Sequence, residues 1–466
     1  MAASLDKFAR LAALRPAPNG THLVERLSPE DSPSAGADEC TLAKLLGATI
    51  ASTKFGSHLS IRNWHATPEY CEPSAGVMDL LARRPASPRR AGQAQSGRDK
   101  KARPDEAARS KALENPEKWL FMDTETTGLA GGTGTYAFLV GIAWWDSGGL
   151  QVEQFLMRDF SEEHSLLVEL AARIAERPVL VTFNGKSFDW PLLESRYLMT
   201  RNIRVPELAA HLDLLHPARA VWKLRLGSVR LVELERHVLD APRLGWHRED
   251  DVPSSLIPQF YFDYLRGGSP GPLAGVVQHN RMDLRGLAAL FGKLNSLLSA
   301  EQREATEALD LFGLSRYLQR RGEATQAESA CVAARGRGLP VAYDAQAQRE
   351  LALMAKRRGE HAQAAEIWQE LLQDGECHSN ACEELAIYYE RRAKDFTKAL
   401  EFAWMGLKKL RKRSGRATFM RAQPAELRRM EQLMKRVERL EKRLNTSRAG
   451  DSAPLLRRAR AAAGST

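Results

Sequence analysis

The order of apolar segments between residues 119 and 239 constrains the fold of this chain more than any other feature. "WLFMDTET" (119–126), "YAFLVGIAWW" (136–145) and "LQVEQFLMR" (150–158) read as three strands, with "DSGG" (146–149) as the hairpin turn between the last two. A helix follows, opened by Ser161 as N-cap, with Leu166, Leu167, Leu170 and Ile174 on its apolar face. "VLVTFN" (179–184) is short and apolar throughout, as a buried parallel strand is. Then come a helix around 188–201, a strand near "LAAHLDLL" (208–215) and a helix around 227–239. Strand-rich first and alternating afterwards, this order predicts an α/β domain with a mixed central sheet and flanking helices. Long helices through 256–266 and 273–298 complete it.

At 466 residues the chain exceeds what one core usually serves. Residues 1–82 are expected to be partly ordered, with "HLSIRNW" (58–64) as a strand that adds an edge to the sheet, and residues 83–115 to be a basic flexible linker rich in Arg, Pro, Ser and Gly. The α/β domain occupies 116–298. From 306 to 410 the pattern is wholly helical and self-similar: "RRGEATQAE" at Arg320 returns as "RRGEHAQAA" at Arg357, and "AKDFTKALE" from Ala393 repeats the second half of the unit. A period near 37 residues belongs to helix pairs of the TPR type, with Ala327, Ala364 and Ala399 at the close approaches. Residues 411–466 read as a basic helix and tail, with Leu427, Met430, Met434, Val437 and Leu440 forming a stripe that caps the repeats or contacts a partner.

The net charge of +10 is not spread evenly: residues 83–113 carry +7 and residues 408–460 carry +13, which leaves −10 for the rest. Basic linkers and tails attract phosphates by counterion release, so nucleic acid is the expected partner. No run of 18 apolar residues and no signal-peptide block occurs, so no membrane role and a cytoplasmic setting are expected. The five scattered cysteines include no CxxC and fit neither a disulfide framework nor a zinc knuckle.

Three segments carry chemistry. In "FMDTETTGL" (121–129) an apolar strand ends in Asp-x-Glu, and the two-residue period sends Asp123 and Glu125 to one side. Two carboxylates on one face repel unless a cation lies between them, and a divalent metal is the natural solution. "FNGKSFDWPLLESRY" (183–197) is strand, turn and helix, with Asp189 at the helix start, where a carboxylate can add a third ligand. "VVQHNRMDLRGLAALF" (276–291) is helical and presents His279 and Asp283 four residues apart on one face. The glycines of 128–135 lack a following Lys-Ser/Thr, and "GKS" (185–187) has Leu180 where a phosphate loop needs its first Gly, so neither cradles a nucleotide. Apolar alternation around "HLDLLH" (211–216), with the resemblance described below, makes Asp213 a structural residue or one that supports the ligands rather than a ligand itself.

In combination these segments resemble the signature of the four-carboxylate (DEDD) 3′-5′ exonuclease superfamily. More closely, "DTETTGLAGGTGTYAFLVG", "LVTFNGKSFDWPLLESR", "HLDLLHPAR" and "HNRMDL" resemble the bacterial YprB-type proteins, whose ribonuclease-H-like domain is often joined to TPR repeats. The resemblance covers about 116–298. It implies a ribonuclease-H-like fold with Asp123, Glu125, Asp189 and Asp283 as ligands of two Mg²⁺ or Mn²⁺ ions, and a 3′-5′ exonuclease acting on single-stranded DNA or RNA by two-metal hydrolysis. His279 would be the general base. It departs from the pattern: exonuclease branches place a His five residues, or a Tyr four, before the last Asp, whereas His279 stands four before Asp283. That departure leaves a second reading open, a catalytically weak nucleic-acid-binding or scaffold protein whose work lies in the repeats, which would recruit a protein partner.

Overall fold

The computed structural model describes residues 35–66, 75–82, 106–128, 134–146, 148–244, 246, 248, 251–299, 303–373, 379–416 and 424–463. Residues 129–133 of the glycine-rich stretch and most of the basic linker lie outside them. The linker's end does not: Glu106–Glu114 is a helix, and Leu113 is buried with its carbonyl accepting from Trp119 Nε1 at 3.2 Å. An apolar residue buried in the core beside Trp119 ends the linker earlier than its composition implies.

In chain order the elements of the first half are α1 (Ala35–Leu46), β1 (Thr49–Thr53), β2 (Gly56–Ala66), α2 (Ala75–Ala82), α3 (Glu106–Glu114), β3 (Trp119–Thr126), β4 (Ala137–Asp146) and β5 (Gly149–Leu156). Then come α4 (Glu163–Glu176), β6 (Val179–Thr182), α5 (Asp189–Met199), β7 (Ala210–Asp213), α6 (Leu215–Leu226), α7 (Leu231–His237), α8 (Ile257–Leu265) and α9 (Gly271–Ser299). The strands form one seven-stranded sheet in the order β1-β2-β5-β4-β3-β6-β7, parallel from β3 through β7 and antiparallel elsewhere. The sheet is therefore mixed, as the strand order predicts, and β1 and β2 extend it by a further hairpin. Leucines, valines and aromatics fill both faces. One cluster centres on Trp119, Phe121 and Phe291, the other on Leu120, Phe138 and Leu180.

Two local expectations need correction. Ser161 does not cap α4: a 3₁₀ turn precedes the helix, and Asp159 caps that turn by accepting from the Ser161 N–H at 2.7 Å. A carboxylate two residues upstream satisfies the donor that a cap serves. The helix expected around 227–239 is α7, which starts only at Leu231, and a further helix that was not expected, α6, precedes it and ends at Gly227 with φ +70. A glycine with positive φ ends a helix rather than opening one.

Beyond residue 303 the described residues form helices only: α10 (Ala308–Arg321), α11 (Ala324–Gly336), α12 (Val341–Arg358), α13 (His361–Gln373), α14 (Ser379–Tyr388), α15 (Phe396–Arg416) and α16 (Pro424–Ala463), with a π turn at Tyr389–Ala393. Ala327, Ala364 and Ala399 are buried where adjacent helices meet. These helices are not hung on a tether. The core around Trp119 and Phe291 runs without a break through α6 into Leu311, Phe312, Ala327 and Leu351. A side chain at Gly313 would strike the carbonyls of Ala220 and Val221, so its absence lets α10 lie directly on α6. α16 closes the far end, burying Leu433 and Val437 against Ala386, Ala403 and Leu407, and Leu440 is buried as well.

Candidate active site

The site begins on β3. Asp123 and Glu125 occupy the last half of the strand, and a register shift between Glu125 and Thr126 ends the pairing there. Asp123, Gly141, Gln154 and Ile61 lie side by side across β3, β4, β5 and β2. α9 covers this row, and its Asn280, fully buried, passes through the space that Gly141 leaves: a Cβ there would stand 2.1 Å from Asn280 Oδ1. Gln154 Nε2 donates to Asn280 Oδ1 at 2.8 Å and to the Val277 carbonyl at 2.9 Å. With its oxygen so engaged, Asn280 turns its Nδ2 to Asp123 and donates to Oδ2 at 2.8 Å. A buried amide relay thus fixes one oxygen of Asp123.

The other carboxylates arrive from two helices. Asp189 is the first residue of α5, and Thr124 Oγ1 donates to its Oδ1 at 2.5 Å. Asn184, at φ +70, turns the chain from β6 toward that helix; its N–H and those of Lys186 and Leu215 donate to the Asp213 carboxylate. Asp213 is spent on three backbone donors, which makes it the structural residue its sequence context implies. Asp283 and His279 come from one face of α9. His279 Nε2 stands 3.7 Å from Asp283 Oδ2 and 4.0 Å from Glu125 Oε1, and Nδ1 is 2.7 Å from Asp251 Oδ1.

These groups act on one another. Burial, reinforced by the charges of Asp283, Glu125 and Asp189, holds the Asp123 carboxyl well above the usual carboxylate range. Glu125 is raised in the same way, by burial and then by Asp283, Asp189 and Asp251. Burial also raises Asp189, against the hydrogen bond from Thr124. Among the described residues no three His, Cys, Asp or Glu side chains converge tightly enough to hold an ion as they stand. The donor set nevertheless fits a hard divalent cation: four carboxylates, all oxygen, whose mutual repulsion an ion between them would relieve.

Sequence reasoning missed three participants. Asn280 follows His279 directly, and a buried Asn on an apolar helix face was the signal that could have found it. Arg248 and Asp251 lie in the connection before α8. The Arg248 guanidinium reaches Asp283 at 2.6 Å, Glu235 at 2.7 Å and Asp251 at 3.0 Å. Burial raises the Glu235 carboxyl to about 7 even against Arg248. For Asp251 burial is outweighed by the hydrogen bonds with His279 and Arg248, which hold its carboxyl low.

A cleft of about 530 Å³ opens beside the carboxylates, walled by Thr124, Glu125, Asp189, Phe188, Leu192 and Ser254. Phe188 is 58% exposed at its rim.

Residues 120–295 match the RNase_H_2 family, described as RNase_H superfamily. Over 299 residues the chain is 32% identical to YprB of Bacillus subtilis (strain 168), an alignment that spans 63% of this chain and 70% of that protein. A family B DNA polymerase from the hyperthermophilic archaeon Pyrobaculum calidifontis aligns at 15% identity with a TM-score of 0.30, covering 52% of this chain and 29% of the polymerase. At that score the likeness bears on neither fold nor chemistry.

Proposed function

The chain belongs to the YprB family of RNase_H-superfamily proteins, and from that premise we propose that it is a 3′-5′ exonuclease acting on single-stranded DNA or RNA with two Mg²⁺ or Mn²⁺ ions. The observation that carries the reading is the set Asp123, Glu125, Asp189 and Asp283: carboxylates from three elements, facing one another at the mouth of a cleft, with charges that are costly unless a cation joins them. All four would be ligands. Bound there, the ions would activate water and stabilise the leaving oxygen of a phosphodiester.

The protein's own groups do the rest. Asn280 holds Oδ2 of Asp123, which would leave Oδ1 for a cation, and Thr124 holds Oδ1 of Asp189. His279 points Nε2 between Glu125 and Asp283, where it can take a proton from an attacking water. Phe188 offers an aromatic face at the cleft rim, on which a terminal base can stack without regard to sequence. The helices from 308 to 410 form a TPR-like array that recruits a protein partner.

One observation favours the alternative, a nucleic-acid-binding or scaffold protein with weak catalysis: Asp283 is already paired with Arg248. Incubation of the purified protein with end-labelled single- and double-stranded DNA and RNA, in Mg²⁺, Mn²⁺ or EDTA, separates the two. Metal-dependent shortening of single strands supports the exonuclease; binding without cleavage in every metal overturns it.

A further inference from the structure

Between α7 and α8, the described residues Trp246, Arg248, Asp251 and Val252 are each tied to α9, like a strap. Trp246 is buried against Met282 and Ala289, and the Arg285 guanidinium lies 4.7 Å from its ring centre. Arg248 grips Asp283, Asp251 meets His279, and a side chain at Gly275 would strike Val252. Beyond this, Ser254 reaches the cleft wall. The anchors descend α9 as the strap runs forward, so the two segments are antiparallel.

Within it, the two oxygens of Asp251 have different tasks. Oδ2 is 3.0 Å from Arg248 Nη1, and Oδ1 is 2.7 Å from His279 Nδ1. An ionised carboxylate only accepts, so both neighbours must donate. Arg248 is itself held by Glu235 and Asp283, which fixes the direction from which it donates.

We propose that Asp251 is a positioning residue for His279: it keeps the proton on Nδ1, leaves the Nε2 lone pair facing Glu125 and Asp283, and is itself aimed by Arg248. The proposal rests on the nuclease reading for its purpose, but its geometry can be tested without catalysis. Substitution by Asn makes a sharp case. The single amide oxygen goes to Arg248, which has no acceptor to offer, and the NH₂ then faces His279 Nδ1. The ring must accept there and carry its proton on Nε2, which points a proton at the carboxylates instead of a lone pair.

The test is ¹⁵N NMR of histidine-labelled full-length protein at pH 8.5, with and without Mg²⁺, the His279 signals identified by their loss in His279→Gln. Wild type should show the Nδ1–H tautomer, and Asp251→Asn the Nε2–H tautomer. Any other proton placement in wild type overturns the proposal, and so does an unchanged spectrum in a folded Asp251→Asn. In single-turnover cleavage with Mn²⁺, Asp251→Asn should lose at least 10-fold in rate while KM and the Mn²⁺-induced rise in melting temperature stay within twofold of wild type. Asp251→Glu should recover part of the rate. A wild type with the expected tautomer and no cleavage would sink the nuclease reading and leave the positioning role standing; full activity in Asp251→Asn would do the reverse.

Discussion

At the scale of single residues, the site is a place where the fold accepts charges that its surroundings oppose. The Asp123 and Glu125 carboxyls are raised in the folded state, so these two groups hold more protons in the folded protein than in the unfolded chain. Their contribution to the stability of the metal-free protein should therefore fall as pH rises from about 4, where unfolded carboxyls ionise, through the raised folded values, while His58, His65 and His211, lowered to about 4 by burial, contribute in the opposite sense up to about 6.5. Asp123→Asn removes one of the opposing charges without opening a cavity. It should raise the metal-free melting temperature by more at neutral pH than at pH 4 and abolish the increase that Mn²⁺ gives the wild type; calorimetry from pH 4 to 8 with and without Mn²⁺ reads both. His279→Ala should lower the cleavage rate by roughly 100-fold while Mn²⁺ still raises the melting temperature, as expected for loss of a general base. Near-normal rates would show that another group handles the water. Gly141→Ala drives a methyl into Asn280, so the protein should lose about 1–3 kcal/mol in denaturant unfolding. Asp123, Glu125, Asp189, His279 and Asp283 stood out in the sequence because each sits in a short local pattern. Arg248 and Asp251 did not, since their partners Asp283 and His279 lie 35 and 28 residues away and no periodicity announces them.

At the scale of elements, strands were easier to place than the ends of helices. Each of β3 to β7 shows an uninterrupted or alternating apolar run that only a sheet can bury, and the expected strands overlap the observed ones throughout. α6 was hidden because Leu214 and Leu215 prolong the apolar run of β7 in the sequence, whereas in the structure the Leu214 N–H already donates to the Thr182 carbonyl and the helix starts at once. The C-terminal stripe was half right. Val437 and Leu440 are buried, but Leu427 and Met434 are exposed and Leu433 takes the central place, because α16 turns toward α14 and α15. Charge fixes this packing as well: Arg436 and Arg439 both pair with Glu390, and Arg429 with Glu383. Leu433→Ala should cost about 2–5 kcal/mol in the helical half. It should expose α16 to limited proteolysis while residues 116–298 stay protected; equal protease resistance to wild type would mean that α16 does not cap the array.

Across the whole molecule, a continuous core joins the sheet domain to the helices, and charge is segregated toward the C-terminal end. Because α16 seals Leu407 and Leu410, removing everything after Leu410 would disturb packing along with charge. Neutralising Lys442, Arg448, Arg457, Arg458 and Arg460 to Gln tests charge alone. On single strands the slope of log affinity against log salt should flatten by up to roughly 0.7 for each phosphate that is no longer neutralised. Cleavage at saturating substrate should be unchanged; an unaltered slope would show that the tail does not meet nucleic acid. Among the described residues no helix is long and apolar enough to cross a membrane. On the proposed function, four carboxylates form a metal-dependent centre that shortens nucleic acid from its 3′ end. The most direct test is a time course on a 5′-labelled single-stranded oligonucleotide with wild type and Asp123→Asn in Mn²⁺. Wild type should produce a ladder that shrinks one nucleotide at a time and is abolished by EDTA, and Asp123→Asn should leave the oligonucleotide intact. Equal cleavage by the two proteins, or none by wild type in any divalent metal, would contradict the account.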